Sequence, residues 1–216
     1  MATSVDSNIG VDASGLELRM LAHYMNDEGY INEVVNGDIH TANQVAAGLE
    51  SRDKAKTFIY AFIYGAGSKK IGSIIGGSER DGERVKEKFL RATPSLRSLR
   101  EKVERVAQRR WVKGLDGRKI IIRQVHSALN TLLQGAGAIV MKKALTLLDE
   151  YVIRKQIKAF PVVNVHDEFQ YEVEESRANE FGKLAVQSII DAGKLLKVRC
   201  PLDGEYKIGN NWSETH

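Results

Sequence analysis

Two short stretches carry side chains that could do chemistry together. From Phe160 to Glu175 (FPVVNVHDEFQYEVEE), an apolar run over Val162 to Val165 meets a charged tip, His166-Asp167-Glu168, and apolar residues then return at every second position, Phe169, Tyr171 and Val173. That pattern predicts a β-hairpin. The tip is unusual, because tight hairpins favour Asn-Gly or Asp-Gly, which reach positive φ at low cost. A carboxylate fixed at a strand end suits a metal ion or a general base, and a solvated turn is the plain alternative. Near the start of the chain, Ile9 to Asp12 reads as a brief buried strand ending on an aspartate, ahead of Ala13-Ser14-Gly15. A helix follows, GLELRMLAHYM, with Leu18, Leu21, Ala22 and Met25 at helical spacing. Asp12 is then a second carboxylate on a rigid element, or else a helix-capping aspartate.

A third stretch, RDKAKTFIYAFIYGAG from Arg52, places Arg52, Lys56, Tyr60 and Tyr64 at intervals of four residues. On a helix they form one slowly drifting stripe beside an apolar stripe of Phe58, Ile59, Phe62 and Ile63. Cations can neutralise phosphates and an aromatic face can stack on a base. The same stripe also fits an amphipathic helix with snorkelling cations and core aromatics. His40 sits in the turn Gly37-Asp38-Ile39-His40-Thr41, where a surface histidine is the ordinary occupant.

The elements that must position these groups read as follows. Met1 to Asn8 is a polar lead, Asn26 to Glu50 is polar with a helix around Ala46 and Ala47, and Lys69 to Gly77 (KKIGSIIGG) reads as a flexible connector. Neither G-x-x-x-x-G-K-[ST] nor G-x-G-x-x-G occurs in that connector, so no P-loop or dinucleotide fold is expected. Ser78 to Arg91 is a charged helix, and Thr93-Pro94 starts the next, with Pro at the first helical position. Trp111 to Lys113 and Arg118 to Arg123 flank the turn Gly114-Leu115-Asp116-Gly117 as a hairpin. Ser127 to about Lys155 is a long apolar helix, in which Gly135 and Gly137 each cost roughly 1 kcal/mol and so point to close backbone approach. Asn130 and Gln134, one turn apart on it, need partners if buried. A helix from Ser176 to about Lys197 and a tail with Trp212 complete the chain.

With 216 residues, 43% hydrophobic and 28% charged, the chain can bury a sizeable core in one domain or two subdomains. Its net charge of +4 permits an anionic partner without requiring one. A single cysteine, Cys200, excludes an intramolecular disulfide and fits a reducing cytoplasm. Neither a secretion signal nor an apolar run long enough for a membrane span is visible.

Taken in order, GVDASGLELR, GDIH, RDKAKTFIYAFIYGAG, GLDGRK with ALNTLLQGAGA, and VHDE resemble the DNA polymerase I family (family A), and are most similar to the replicative polymerases of short-tailed bacteriophages. The resemblance implies an α+β fold: an antiparallel palm sheet with long helices plus a helical fingers subdomain, a right-hand polymerase with the thumb missing. It divides the chain into palm over 1–25, mainly fingers over 26–110 and palm again over 111–216. Asp12 and Asp167 match the carboxylates that bind two Mg²⁺ ions, with the Ala13 carbonyl as a further ligand and Glu168 assisting. His40, Arg52 and Lys56 match the groups that clamp the triphosphate of a dNTP, Tyr60 the residue against its base and sugar, and Glu17 the steric gate at the 2′ position. Tyr64, Arg118, Asn130, Gln134 and His166 match contacts to primer-template DNA. The implied reaction is nucleotidyl transfer from dNTP to a primer 3′-hydroxyl in the cytoplasm, that of the host if the chain is phage-encoded. Because relatives of this kind carry a thumb, part of the palm and usually an exonuclease domain ahead of the first aspartate motif, two cases arise, a split polymerase or a truncated product. The split polymerase is the expectation, with a second polypeptide bearing the thumb and exonuclease domains as its partner. A non-catalytic nucleic-acid or nucleotide-binding remnant is the alternative, and a metal-dependent nuclease is a further one, which would have no use for the Arg52, Lys56, Tyr60 stripe.

Overall fold

Alternation along a strand and 3.6-residue periodicity along a helix account for most of the elements. The computed structural model describes residues 6–216. Strand β1 (Asp6–Ala13) leads into α1 (Leu16–Met25), followed by α2 (Glu28–Asn36), α3 (Ile39–Ala47), α4 (Arg52–Ile63), α5 (Ser68–Ile75), α6 (Glu79–Ala92) and α7 (Pro94–Ala107). The short hairpin of β2 (Trp111–Lys113) and β3 (Lys119–Ile121) precedes the long α8 (Ala128–Lys155). Strands β4 (Ala159–Val165) and β5 (Glu168–Glu174), helix α9 (Ala178–Leu195), strand β6 (Gly204–Gly209) and the short α10 (Trp212–Thr215) complete the chain. Of the polar lead expected over Met1 to Asn8, residues 1–5 lie outside the described residues, and the remainder belongs to β1.

By contact the chain divides into two compact units, the described residues of Met1–Met20 with Ala136–His216, and Leu21–Gly135. The divisions between these contact units fall inside α1 and α8, and the palm and fingers bounds at 25/26 and 110/111 are a separate division that the resemblance implies. Continuous helix gives no linker composition to read at such a point.

In the first unit, four antiparallel strands form one sheet in the order β4-β5-β1-β6. Ile9 and Val11 of β1 pair with Tyr171 and Phe169 of β5, and Val11 also pairs with Tyr206 of β6. One face of the sheet is therefore apolar and covered by α9, where the Tyr171 and Phe181 rings lie 5.0 Å apart. Because side chains alternate between faces, the opposite face carries Gly10 and Asp12 of β1, Glu168 and Gln170 of β5, and Glu205 and Lys207 of β6. The apolar run of β4 is not buried as its composition suggests: it lies at the sheet edge, with Phe160 61% and Val162 55% exposed.

In the second unit, α4 buries Phe58, Ile59, Phe62 and Ile63, while Arg52, Lys56 and Tyr64 are exposed. Phe89 of α6 receives Phe58 and Phe62 edge-on, with ring centroids at 5.2 and 5.6 Å. Ser51 caps α4 by accepting from the Lys54 N–H, and Ser78 with Asp81 forms a capping box at α6. The segment expected to be a flexible connector is instead α5. Its glycine Gly72 is buried, and a Cβ there would sit 2.2 Å from the Ser78 carbonyl oxygen. The glycine permits close packing of α5 on α6, and α5 ends at Gly76, which takes the left-handed conformation. Close approach at Gly135 is also present: a Cβ would meet Ile120 Cδ1 of the β2–β3 hairpin at 2.6 Å.

Candidate active site

Adjacent strands bring the two aspartates together. Asp12 lies opposite Glu168 on β5, and the Ala13 N–H donates to the Asp167 carbonyl at 3.0 Å. Asp167 occupies the β4–β5 turn with His166, so the turn holds two residues rather than three, and Glu168 is the first residue of β5. His166 has φ +54°, the left-handed conformation usually supplied by glycine in such turns. Loss of surrounding water raises the Asp12 pKa first, the negative charges of Asp167, Glu168 and Glu205 raise it further, and His216 opposes them. The end of the sheet is thus crowded with anionic oxygens, a place where a cation lowers the electrostatic free energy.

The donor set fits Mg²⁺. Its oxygens are hard, and Mg²⁺ commonly takes only one or two carboxylates, keeping water or substrate phosphate for the rest. Among the described residues no group of three or more His, Cys, Asp and Glu side chains could hold an ion by itself. Asp12, Asp167 and the Ala13 carbonyl match that sparser kind of ligation.

Glu168 is placed differently from its neighbour. Its Oε1 accepts from the Trp212 indole N–H at 3.1 Å and from Gln170 Nε2, and its Oε2 lies 2.5 Å from His216 Nδ1. Burial, the largest single influence, pushes its pKa up, but hydrogen bonds from Gln170, His216 and Trp212 together outweigh it and hold the carboxyl below its ordinary value. Thr215 completes the network by donating to Gln170 Oε1 at 2.8 Å. At Gly10 a Cβ would lie 2.4 Å from the Thr215 carbonyl oxygen and 2.5 Å from Gln170 Nε2, so only glycine lets α10 rest on β1 here. A cleft of about 230 Å³ opens beside this network, lined by Asp12, Glu168, Glu205, Lys207 and His216 among others. In the sequence reading Trp212 belongs to a tail, and Glu205 and Lys207 have no role. The alternation Glu205-Tyr206-Lys207-Ile208 was the available strand signal.

A second cluster belongs to the other unit. Asp38 is the N-cap of α3, accepting from the His40 and Thr41 N–H groups, and its Oδ2 receives Arg52 Nε of α4 at 2.7 Å. The His40 and Tyr60 ring centroids are 6.2 Å apart. Burial lowers the His40 pKa, the nearby positive charges of Arg52 and Lys56 lower it further, and Asp38 opposes them. His40 Nδ1 is buried and has no hydrogen-bond partner among the described residues. His40, Arg52, Lys56 and Tyr60 thus share one corner of α3 and α4, and Asp38 is the neighbour that sequence reasoning passed over. Its position before Ile39-His40-Thr41 was a legible helix-cap signal.

The expected DNA contacts are divided between the units. Gln134 on the first turns of α8 donates to the Tyr64 hydroxyl at 3.2 Å, both side chains being exposed. Arg118 is held in the β2–β3 turn by Asp116, with Nη2 to Oδ2 at 2.6 Å. The Asn130 Oδ1 is buried with no partner among the described residues, so Asn130 and Gln134 do not form a core amide network. His166 and Glu17 lie in the unit that contains Asp12, His166 exposed in its turn and Glu17 half-buried in the first turn of α1.

Comparison with known proteins agrees with this architecture. The sequence model of DNA polymerase family A matches residues 2–214. The DNA-directed DNA polymerases of Enterobacteria phage T3 and Escherichia phage T7 are 44% and 43% identical to the chain, each over 96% of it and 33% of their own length. The POL domain of Pol1 from M. smegmatis, solved in complex with DNA primer-template and dNTP, superposes with a TM-score of 0.86 at 22% identity, over 99% of this chain and 41% of that one. The fold of the present chain, α+β with an antiparallel sheet, is the one expected. The chain belongs to DNA polymerase family A. It spans about a third of the length of the phage polymerases it matches.

Proposed function

We propose that this chain is the palm and fingers portion of a template-directed DNA polymerase, which joins a dNTP to a primer 3′-hydroxyl with release of pyrophosphate. The observation that carries the reading is the pairing of Asp12 with the Asp167 turn at one end of a sheet, in a chain of this family. Asp12, Asp167 and the Ala13 carbonyl would hold two Mg²⁺ ions. When bound, such a pair activates the attacking hydroxyl and stabilises the leaving oxygen of an in-line displacement. The carboxylates fix that position because each sits at a strand end, and Glu168 supports it from the hydrogen-bonded network of Gln170, Trp212 and His216.

His40, Arg52 and Lys56 bind the triphosphate, and Tyr60 lies against the base and sugar. Glu17 crowds the 2′ position and so favours deoxyribose. Tyr64, Arg118, Asn130, Gln134 and His166 contact the primer-template, where minor-groove acceptors common to correct pairs report pairing geometry. In the described residues no helix is long and apolar enough to cross a membrane. A polypeptide carrying thumb and exonuclease domains is proposed to supply the rest of the duplex grip; the phage relatives devote two thirds of their length to sequence outside this match. Primer extension with Mg²⁺ and four dNTPs, with and without that polypeptide, is the test. Extension in either case supports the reading, and extension in neither favours a non-catalytic remnant that binds nucleic acid or nucleotide.

A further inference from the structure

We infer that Asp38 is a positioning residue for triphosphate binding: it holds the Arg52 guanidinium by its Nε edge so that the two Nη nitrogens meet the incoming anion. The inference rests on the proposed role of Arg52. The carboxylate of Asp38 is itself fixed, because Oδ1 accepts from the His40 N–H at 3.1 Å and the Thr41 N–H at 3.3 Å, and Oδ2 accepts from Thr41 Oγ1 at 2.9 Å. Against this strut Arg52 Nε makes its 2.7 Å bond, while the arginine side chain remains 51% exposed.

A long side chain that exposed loses rotamer freedom when it clamps a ligand. Pairing at Nε restrains it beforehand and leaves the Nη edge, whose donors match two phosphate oxygens, uncommitted. The same carboxylate joins the start of α3, which bears His40, to the start of α4, which bears Arg52. Two expected triphosphate contacts are therefore set against one group. The sign of the effect is diagnostic. A negative charge beside an anion site weakens anion binding on charge alone, so removing it should tighten binding unless the charge is needed to orient Arg52.

Inorganic triphosphate binding to the full chain decides the matter, measured for the unaltered protein, Asp38→Asn, Asp38→Ser, Arg52→Ala and the Asp38→Asn/Arg52→Ala double variant. Asn and Ser cap helices as well as Asp does, and unchanged helical circular dichroism checks that α3 is intact. Arg52→Ala should weaken binding about tenfold. Each Asp38 variant should weaken it about two- to fivefold, the range of an exposed ion pair, and the loss should vanish in the Arg52→Ala background. If Arg52→Ala weakens binding but the Asp38 variants tighten it, leave it unchanged, or weaken it equally in both backgrounds, the inference is wrong and the role of Arg52 stands. If Arg52→Ala has no effect, the triphosphate role of Arg52 falls and the inference falls with it.

Discussion

His40 shows how a single side chain reports on its corner of α3 and α4. Burial, with Arg52 and Lys56 nearby, lowers its pKa below the ordinary 6.5. An unfolded chain therefore binds more protons here than the folded one as the pH drops below that value. Stability from this group is intact above pH 6.5 and declines as acid is added, until the folded imidazole also charges. A proton NMR titration of His40 should give a midpoint below 6.5 in the free protein. Inorganic triphosphate should move it upward, because a bound polyanion favours the imidazolium. A midpoint above 6.5 without ligand, or no movement on adding it, contradicts the placement of His40 in an anion site. Glu168 makes a different case, since its oxygens are engaged by Gln170, Trp212 and His216. Glu168→Gln should cost about 1–3 kcal/mol of stability in chemical denaturation, the penalty of mismatched buried hydrogen bonds. It should slow primer extension far less than loss of Asp167.

Helix α4 was legible as an element because its two stripes are written in one unbroken period of four, and the buried and exposed residues follow that period. Phe58→Ala removes the ring that meets Phe89 edge-on, and should destabilise by about 3–5 kcal/mol in urea unfolding. A loss below about 1 kcal/mol would show that this aromatic cluster is not the core of its unit. Helix α5 was missed because Gly72 resembles a breaker until a packed neighbour is known to need the space. Strand β6 was missed for a related reason. Its period-two pattern is short, and what makes it a strand is pairing with β1, nearly two hundred residues earlier in the chain. Asp12 and Asp167 could be nominated from strand-end positions, but the anionic neighbour Glu205 and the Trp212, Thr215 and His216 network depend on that long-range pairing. Gly10→Ala tests the network as a unit: its methyl would collide with Thr215 and Gln170, and overpacking of this kind should cost about 1–3 kcal/mol in thermal unfolding.

At the scale of the whole molecule, the proposed reaction draws on the acidic end of the sheet in one unit and on the basic corner of α3 and α4 in the other, in a chain with net charge +4. The proposed function predicts that affinity for DNA comes mainly from phosphate contacts and falls as salt rises, whereas turnover depends on the two aspartates. Removing one carboxylate should separate these properties. The direct measurement is primer extension with Mg²⁺ and four dNTPs, comparing the unaltered chain with Asp167→Ala in the presence of a polypeptide carrying thumb and exonuclease domains, with salt-dependent primer-template binding followed in parallel. The unaltered chain should extend the primer, and Asp167→Ala should lose incorporation by about a thousandfold or more, equivalent to about 4 kcal/mol of transition-state stabilisation, while its affinity for primer-template stays close to that of the unaltered chain at each salt concentration. Extension by Asp167→Ala at the unaltered rate would contradict the account, because nucleotidyl transfer would then not depend on the carboxylate at the β4–β5 turn.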